Sequence, residues 1–365
     1  MRLLLGGDVM VGRGIDQILV SPGSPILHED FIRDARDYVV LAERTNGPIP
    51  RAATPSHVWG AALEAFTRAA VDARIINVET SVTRSSEFWQ GKGIHYRMSP
   101  ANVGCLQIAR PDVCGLANNH VMDFGIDGLL ETLDVLERAG LRTAGAGRDL
   151  ARALLPVRVA TSSGALSVRS IATEDSGVPR EWAAEKGLPG IALVSSLSAR
   201  DAPRLAQGLS GDVRVISIHW GDNWGYPPSA AERAFAHALI DAGVDVVHGH
   251  SSHHPRPIEI YQGRLVLYGC GDLINDYEGI RGYEEFRSDL RLLYQVDVGQ
   301  EGRLLALELL PFHAKRFSLE PASMEKRAWL ASTLTKVGRP LGTSVELDGA
   351  SLRLAMQDSG TSRHL

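Results

Sequence analysis

The sequence predicts an α/β fold with mostly parallel strands, and three observations carry that prediction. Short buried apolar runs alternate with helix-length amphipathic segments. Polar side chains of the metal-binding type follow directly on apolar runs five times, as at the carboxyl ends of strands in open α/β sheets. Glycine, at 37 of 365 residues, exceeds its usual share of roughly 7% and suggests many tight turns.

Taken in order, residues 3–5 (Leu-Leu-Leu) read as a buried strand stopped by Gly6-Gly7. Residues 61–73 have helical periodicity and lead into the core run Ile75-Ile76. Residues 129–139 form an amphipathic helix stopped by Gly140. A buried strand is expected over 213–218, a helix over 230–242 ended by Gly243, and strands over 244–247 and 265–268. Residues 289–298 and 303–310 alternate like a hairpin around Gly299 and Gly302, which suggests an antiparallel edge. Two stretches look like insertions: the proline-dotted 20–54, and 85–100 with Trp89, Lys92, His95, Tyr96 and Arg97. One large domain over 1–320 with a C-terminal extension over 321–365 is the expected organisation, and the tail after Asp358 should fray.

Composition narrows the class. Hydrophobic residues make up 44% and charged residues 22%, which excludes a disordered chain, a coiled coil or a collagen-like repeat. The net charge of −5 offers no global basic field for nucleic acid or an anionic membrane, so neither is expected as a partner. Cys105, Cys114 and Cys270 form no CxxC pair, which fits buried thiols in a reducing compartment. The opening MRLLLGGDVM is too short an apolar run for a signal peptide or a span. A soluble, cytoplasmic protein is therefore expected.

The five strand ends hold the candidate chemistry. Asp8 follows the first; Asn77 and Glu79 the second; Asn118, Asn119, His120 and Asp123 the third; His219, Asp222 and Asn223 the fourth; His248, His250, His253 and His254 the fifth. Singly, each has a bland reading: Asp8 as a cap, Asn118-Asn119 as a turn pair, His219 as a core histidine. Together they point to one cleft holding one or two divalent cations. Carboxylate, carboxamide and imidazole donors suit Mn, Zn or Fe, with Ca or Mg not separated, and no organic cofactor is expected.

The segments GDVMVGR, NVETS, ANNHVMDFG, HWGDNW and GHSSHHPRPIEIYQGRLVLYGCGDLINDY resemble the CapA (poly-γ-glutamate capsule biosynthesis) family, within the calcineurin-like metallophosphatase superfamily. The resemblance spans about residues 2–312. It implies a two-sheet β-sandwich flanked by α-helices, with metal held between strand ends. It implies Asp8, Glu79, Asn119, His219, His250 and His253 as metal ligands and His120 as the acid/base group. Asp123 and His253 join His120 as catalytic candidates, and Glu259 and Asp272 would brace the ligands from behind. Where the superfamily usually has a histidine ligand, this chain has Met10, which puts one metal position in doubt.

For the reaction, a soluble branch resembling lasso-peptide epimerases implies an isomerase that inverts an α-carbon in a ribosomal precursor peptide. Metal at the carbonyl would stabilise the enolate-like charge and His120 would move the proton. Lys92, Tyr96 and Arg97 would clamp the peptide carboxylate, and Trp220 and Trp224, with Tyr226, would wall an apolar side chain. The rival readings are a hydrolase of phosphoester or γ-glutamyl amide bonds, and a non-catalytic protein of capsule polymer assembly.

Overall fold

The computed structural model describes residues 1–68 and 70–355; the tail after Asp358 lies outside them. Ten strands and three helices position the site. They are β1 (Arg2–Val9), β2 (Ala73–Val78), β3 (Val113–Gly115), α1 (Gly125–Arg138), β4 (Gly164–Thr173), β5 (Val213–His219), α2 (Ala230–Asp241), β6 (Val246–His250), β7 (Arg264–Leu267), β8 (Asp272–Ile274), β9 (Leu290–Val298), β10 (Leu304–Lys315) and α3 (Met324–Gly338).

Two sheets pack face to face. In the first, β1, β2 and β3 are parallel, β9 adds antiparallel to β1 and β10 antiparallel to β9, and the hairpin Ser344–Asp348/Ser351–Ala355 extends the edge. β8 lies parallel to the carboxyl end of β1. In the second, β4, β5, β6 and β7 are parallel, with Ile258–Tyr261 antiparallel on β7. The mixed α/β class and the sandwich expected from the sequence are both present.

Strand periodicity explains the layering, because successive side chains point to opposite faces. Leu3, Leu5 and Ile75 share one buried cluster with Val215, Val246 and Leu265 of the facing sheet. Leu4 and Ile76 point the other way, onto Trp59, Phe66 and Leu129. Ile216, Ile218 and Val247 do the same on the far side, against Phe235 and Leu239 of α2. Each fully buried Leu, Ile or Val contributes ~1.5–3 kcal/mol. α2 begins with a capping box, in which Ser229 Oγ accepts from Glu232 N (3.1 Å) and Glu232 accepts from Ser229 N (2.6 Å).

Several expected boundaries move, for identifiable reasons. β1 does not stop at the glycine pair but runs to Val9, because β2 and β8 continue to pair with it. The helix expected over 61–73 spans only Ala62–Thr67; the Arg74 guanidinium of β2 takes the carbonyls of Phe66 (2.5 Å) and Arg68 (3.2 Å) and so ends it. β6 extends past Val247 because His248 and His250 are strand residues whose rings are satisfied between the sheets. The insertion at 20–54 contains the helix Arg36–Asn46. Beyond residue 320, Leu330 and Leu334 of α3 and Leu352 and Leu354 of the hairpin enter the same inter-sheet core. No helix among the described residues is long and apolar enough to cross a membrane.

Candidate metal centre

The carboxyl ends of β1, β2, β5 and β6 meet at one edge of the sandwich. Asp8, His219 and His250 bring donor atoms within 4.8 Å of one another there, and all three are fully buried. His219 Nδ1 lies 2.9 Å from His250 Nδ1, and His250 Nδ1 lies 3.6 Å from Asp8 Oδ1. Asn119 Oδ1 reaches His219 Nε2 at 3.1 Å, and Glu79 stands 3.9 Å from His219. Asn77, from the same strand as Glu79, donates to Asp8 (2.7 Å) and to Glu79 (3.1 Å).

Local backbone features make this convergence possible. A Cβ on Gly7 would stand 1.8 Å from the Gly271 carbonyl oxygen, so only glycine lets β1 and β8 close up and set Asp8 beside Asp272. Ser251 turns at φ 105°, a left-handed conformation rare for a residue with a side chain, and its N–H donates to Asp8 Oδ2 at 3.0 Å. Asn118 is the turn former: its Oδ1 accepts from His120 N and Val121 N, at 3.1 and 2.9 Å.

The electrostatics of this donor set suit a cation. Burial pushes the Asp8 carboxyl up to about 7, with Asp272 adding repulsion. Burial, then Asp8 and Asp272, raises Glu79 well above the usual range. Burial drives His219 and His250 well below the ordinary histidine value. Buried carboxylates that resist ionisation and imidazoles that stay neutral are what a divalent cation resolves, since it binds the ionised carboxylate and the neutral ring.

Beside the triad lies an acid/base group. His120 Nδ1 is 2.6 Å from Asp123 Oδ2, and Lys92 Nζ donates to Asp123 Oδ1 at 2.6 Å and lies 3.2 Å from His120 Nδ1. Lys92 spends its ammonium on Asp123 and the Asn119 carbonyl, so the Nδ1–H of His120 is left to serve Asp123 and Nε2 carries the lone pair. That Nε2 lies 4.0 Å from Glu79. Burial lowers the His120 pKa to about 4, against the opposing pull of Asp123, so the ring is neutral at neutral pH.

The remaining expected residues divide. His253 is not in the triad; its Nδ1 pairs with Asp272 at 3.0 Å and its Nε2 is 3.5 Å from Tyr277 Oη. Lys92 braces Asp123 rather than standing free for a substrate carboxylate. Tyr96 is buried, with its ring 4.6 Å from that of His120 and its N–H on Asp123 Oδ2 (2.7 Å). Arg97 spends its guanidinium on the carbonyls of Ser85 (2.7 Å) and Ser24 (3.2 Å). Trp220 does not reach the cleft: it is buried under α2, with its Nε1 on the Tyr268 carbonyl (2.9 Å). Trp224 does, stacking on Tyr283 with centroids 4.0 Å apart beside His253. Tyr226 packs on the ring of His254, 4.6 Å away. Glu259 sits at the far sheet edge, held by Tyr268 Oη (2.5 Å) and His237 (3.1 Å), and braces nothing at the centre. Met10 is fully buried.

Sequence reasoning passed over Arg13. Its guanidinium pairs with Asp276 (2.6 Å) and Glu29 (2.8 Å) and lies 4.2 Å from the Tyr96 ring centroid. The signal was an arginine closing the GDVMVGR segment.

The site is a buried triad of donors suited to a metal ion at the strand ends of a helix-flanked sandwich, with a histidine–aspartate pair alongside. The model for the bacterial capsule synthesis protein PGA_cap matches residues 2–277, and the chain belongs to that family. It is 48% identical over 353 residues to a probable polyglutamine synthesis accessory protein of Mycobacterium tuberculosis, covering 94% of this chain and 93% of that one. It is 28% identical to the PGA biosynthesis protein CapA of Bacillus subtilis, covering 71% of this chain and 67% of that one. A hypothetical protein from Thermus thermophilus, of known crystal structure, aligns over 86% of this chain and 99% of its own at 16% identity, with a TM-score of 0.45. The relatives named for polyglutamine and PGA synthesis correct the expectation of a lasso-peptide epimerase acting on a ribosomal precursor.

Proposed function

We propose that this chain is a metal-dependent enzyme of glutamyl polymer synthesis that hydrolyses a glutamyl amide bond. One observation carries the reading: the Asp8–His219–His250 triad stands next to His120, whose free Nε2 faces the same carboxylate, Glu79. The names of the relatives supply the polymer.

Asp8, His219 and His250 would hold the cation, with Asn119 and Glu79 adjacent. A cation held there supplies Lewis acidity toward a carbonyl oxygen. His120, neutral and oriented by Asp123, takes a proton from water at Nε2 as a C–O bond forms at the amide carbon. It then returns that proton to the departing nitrogen as the C–N bond breaks. Water is consumed, and one carboxylate and one amine appear. Lys92 keeps Asp123 ionised through this cycle.

The test is to incubate the full-length, metal-supplemented protein with a γ-linked glutamate oligomer and read chain length by mass spectrometry. Shortening that chelation abolishes supports the reading. Bound metal with no cleavage overturns it in favour of a second one, a non-catalytic assembly component. That alternative is favoured by Met10, which removes a donor from the centre.

A further inference from the structure

A cavity of about 380 Å³ lies against Leu273 and Ile274 of β8, the strand that pairs with β1 at Asp8; Asp8, His219 and His250 do not line it. Trp224, Asn275, Tyr277, Tyr283 and Arg291 are among its lining residues. Arg291, on β9, alternates away from the inter-sheet face used by Leu290 and Leu292, and is only 2% exposed. Its Nη2 donates to Asn275 Oδ1 at 2.7 Å. Its Nε and Nη1 make no hydrogen bond among the described residues, and no carboxylate there pairs with it within 4.0 Å. Asp272, Asp289 and Glu278 favour its charge through space, but its one hydrogen-bond partner is a neutral amide, and the unbonded part of its fork matches a carboxylate.

The other charged groups on the cavity wall are already answered. Asp289 pairs with Arg287 (2.8 Å) and lies 3.6 Å from His313. Glu278 accepts from Arg316 N (2.8 Å), Phe317 N (3.0 Å) and the Asn46 amide. Glu284 accepts from Gly282 N at 3.1 Å. Arg291 is thus the buried charge of the wall whose N–H donors are left unbonded, and its bonded neighbours lead to the metal centre. Asn275 Nδ2 donates to Asp272 (2.5 Å), Asp272 meets His253 (3.0 Å), and Asp272 is the strand neighbour of Asp8.

We propose that this cavity is a subsite for a carboxylate of the substrate, held by the Arg291 guanidinium, with the attached methylene chain against the Trp224–Tyr283 stack. This rests on the glutamyl-amide reading, which it deepens: the subsite would hold one glutamyl carboxylate while the neighbouring amide lies at the cation. Arg291 is then a specificity residue for acidic chains.

The test uses the full-length protein and three small probes: glutarate, its uncharged analogue glutaramide, and inorganic phosphate. Binding is followed by calorimetry and tryptophan fluorescence, with and without chelator, so that direct ligation of a metal by glutarate is separated from the cavity. The proposal expects glutarate to bind in the presence of chelator, glutaramide and phosphate to bind at least tenfold more weakly, and Arg291→Met to weaken glutarate at least tenfold with metal content unchanged. Glutarate binding that disappears on chelation, that Arg291→Met leaves intact, or that phosphate or glutaramide equals overturns it. If Arg291→Met yields no folded protein, Tyr283→Ala on the exposed rim decides: a threefold or greater loss of glutarate binding supports the subsite, and unchanged binding overturns it. Because no readout is turnover, a protein without amidase activity can still show the subsite, and an active one can still lack it.

Discussion

Asp8 and Asp272 sit opposite each other on parallel neighbouring strands, and each is answered by its own histidine, His250 at 3.6 Å and His253 at 3.0 Å. Their fates differ. Burial raises Asp8, whereas the His253 ring and Arg291 hold Asp272 below the usual carboxylate range despite burial. Asp272 is the standing anion of the pair, and Asp8 is the one that a cation must ionise.

Removing a triad donor should therefore remove the metal. Asp8→Asn and His250→Ala are expected to lower metal affinity by at least ~10-fold. Metal content after dialysis, read by elemental mass spectrometry, checks this. Wild-type occupancy in both variants would contradict the triad.

Metal uptake should release protons and strengthen with pH. The Asp8 pKa in the metal-free fold is raised from 3.8 to about 7. That raised value favours the metal-free fold below pH 3.8, and the advantage is lost as pH rises toward about 7. Bound cation reverses the sign by preferring the ionised form. The gap in melting temperature between loaded and metal-free protein should widen across that interval. Calorimetry in two buffers of different ionisation heat should show proton release below pH 7.

His120→Ala is expected to keep the metal and lose ~10²–10⁴-fold in amide cleavage. Lys92→Met, which removes the brace on Asp123, should cost about tenfold through misorientation of the ring. Its recovery by Lys92→Arg would separate positioning from a loss of folding. Oligomer-shortening rates measured at matched metal occupancy test both.

Arg13→Ala strands two buried carboxylates, Glu29 and Asp276, and should cost ~3–5 kcal/mol. Urea denaturation gives that number directly. Gly7→Ala, with its methyl group driven onto the Gly271 carbonyl, should abolish metal binding in whatever folded protein is recovered.

Much of this centre was legible in the sequence because strand ends are short and ordered. Asp8, Glu79, Asn119, His120 and His219 each follow an apolar run, and the sandwich brings those runs together. The last histidine run was harder. His250 is a ligand candidate because β6 continues to it, and His253 falls to Asp272 because the chain turns at Ser251 first. Spacing alone does not reveal such a turn at a non-glycine residue. Trp220 misled for a related reason: one position after His219 it faces the opposite side, under α2. Arg13 escaped notice because its partner Asp276 lies far along the chain, and Arg291 because it sits within an ordinary apolar strand run with no motif around it. Among the described residues, the hairpin beyond residue 343 joins the first sheet only through β10, a pairing no local pattern announces.

The knot at Arg13 has a wider consequence. One guanidinium fastens Glu29, within the long insert, to Asp276, just past β8, and Tyr38 from the insert's helix closes over it at 3.0 Å. Stitched down at its middle, that insert forms a standing kerb beside the cleft rather than a swinging door.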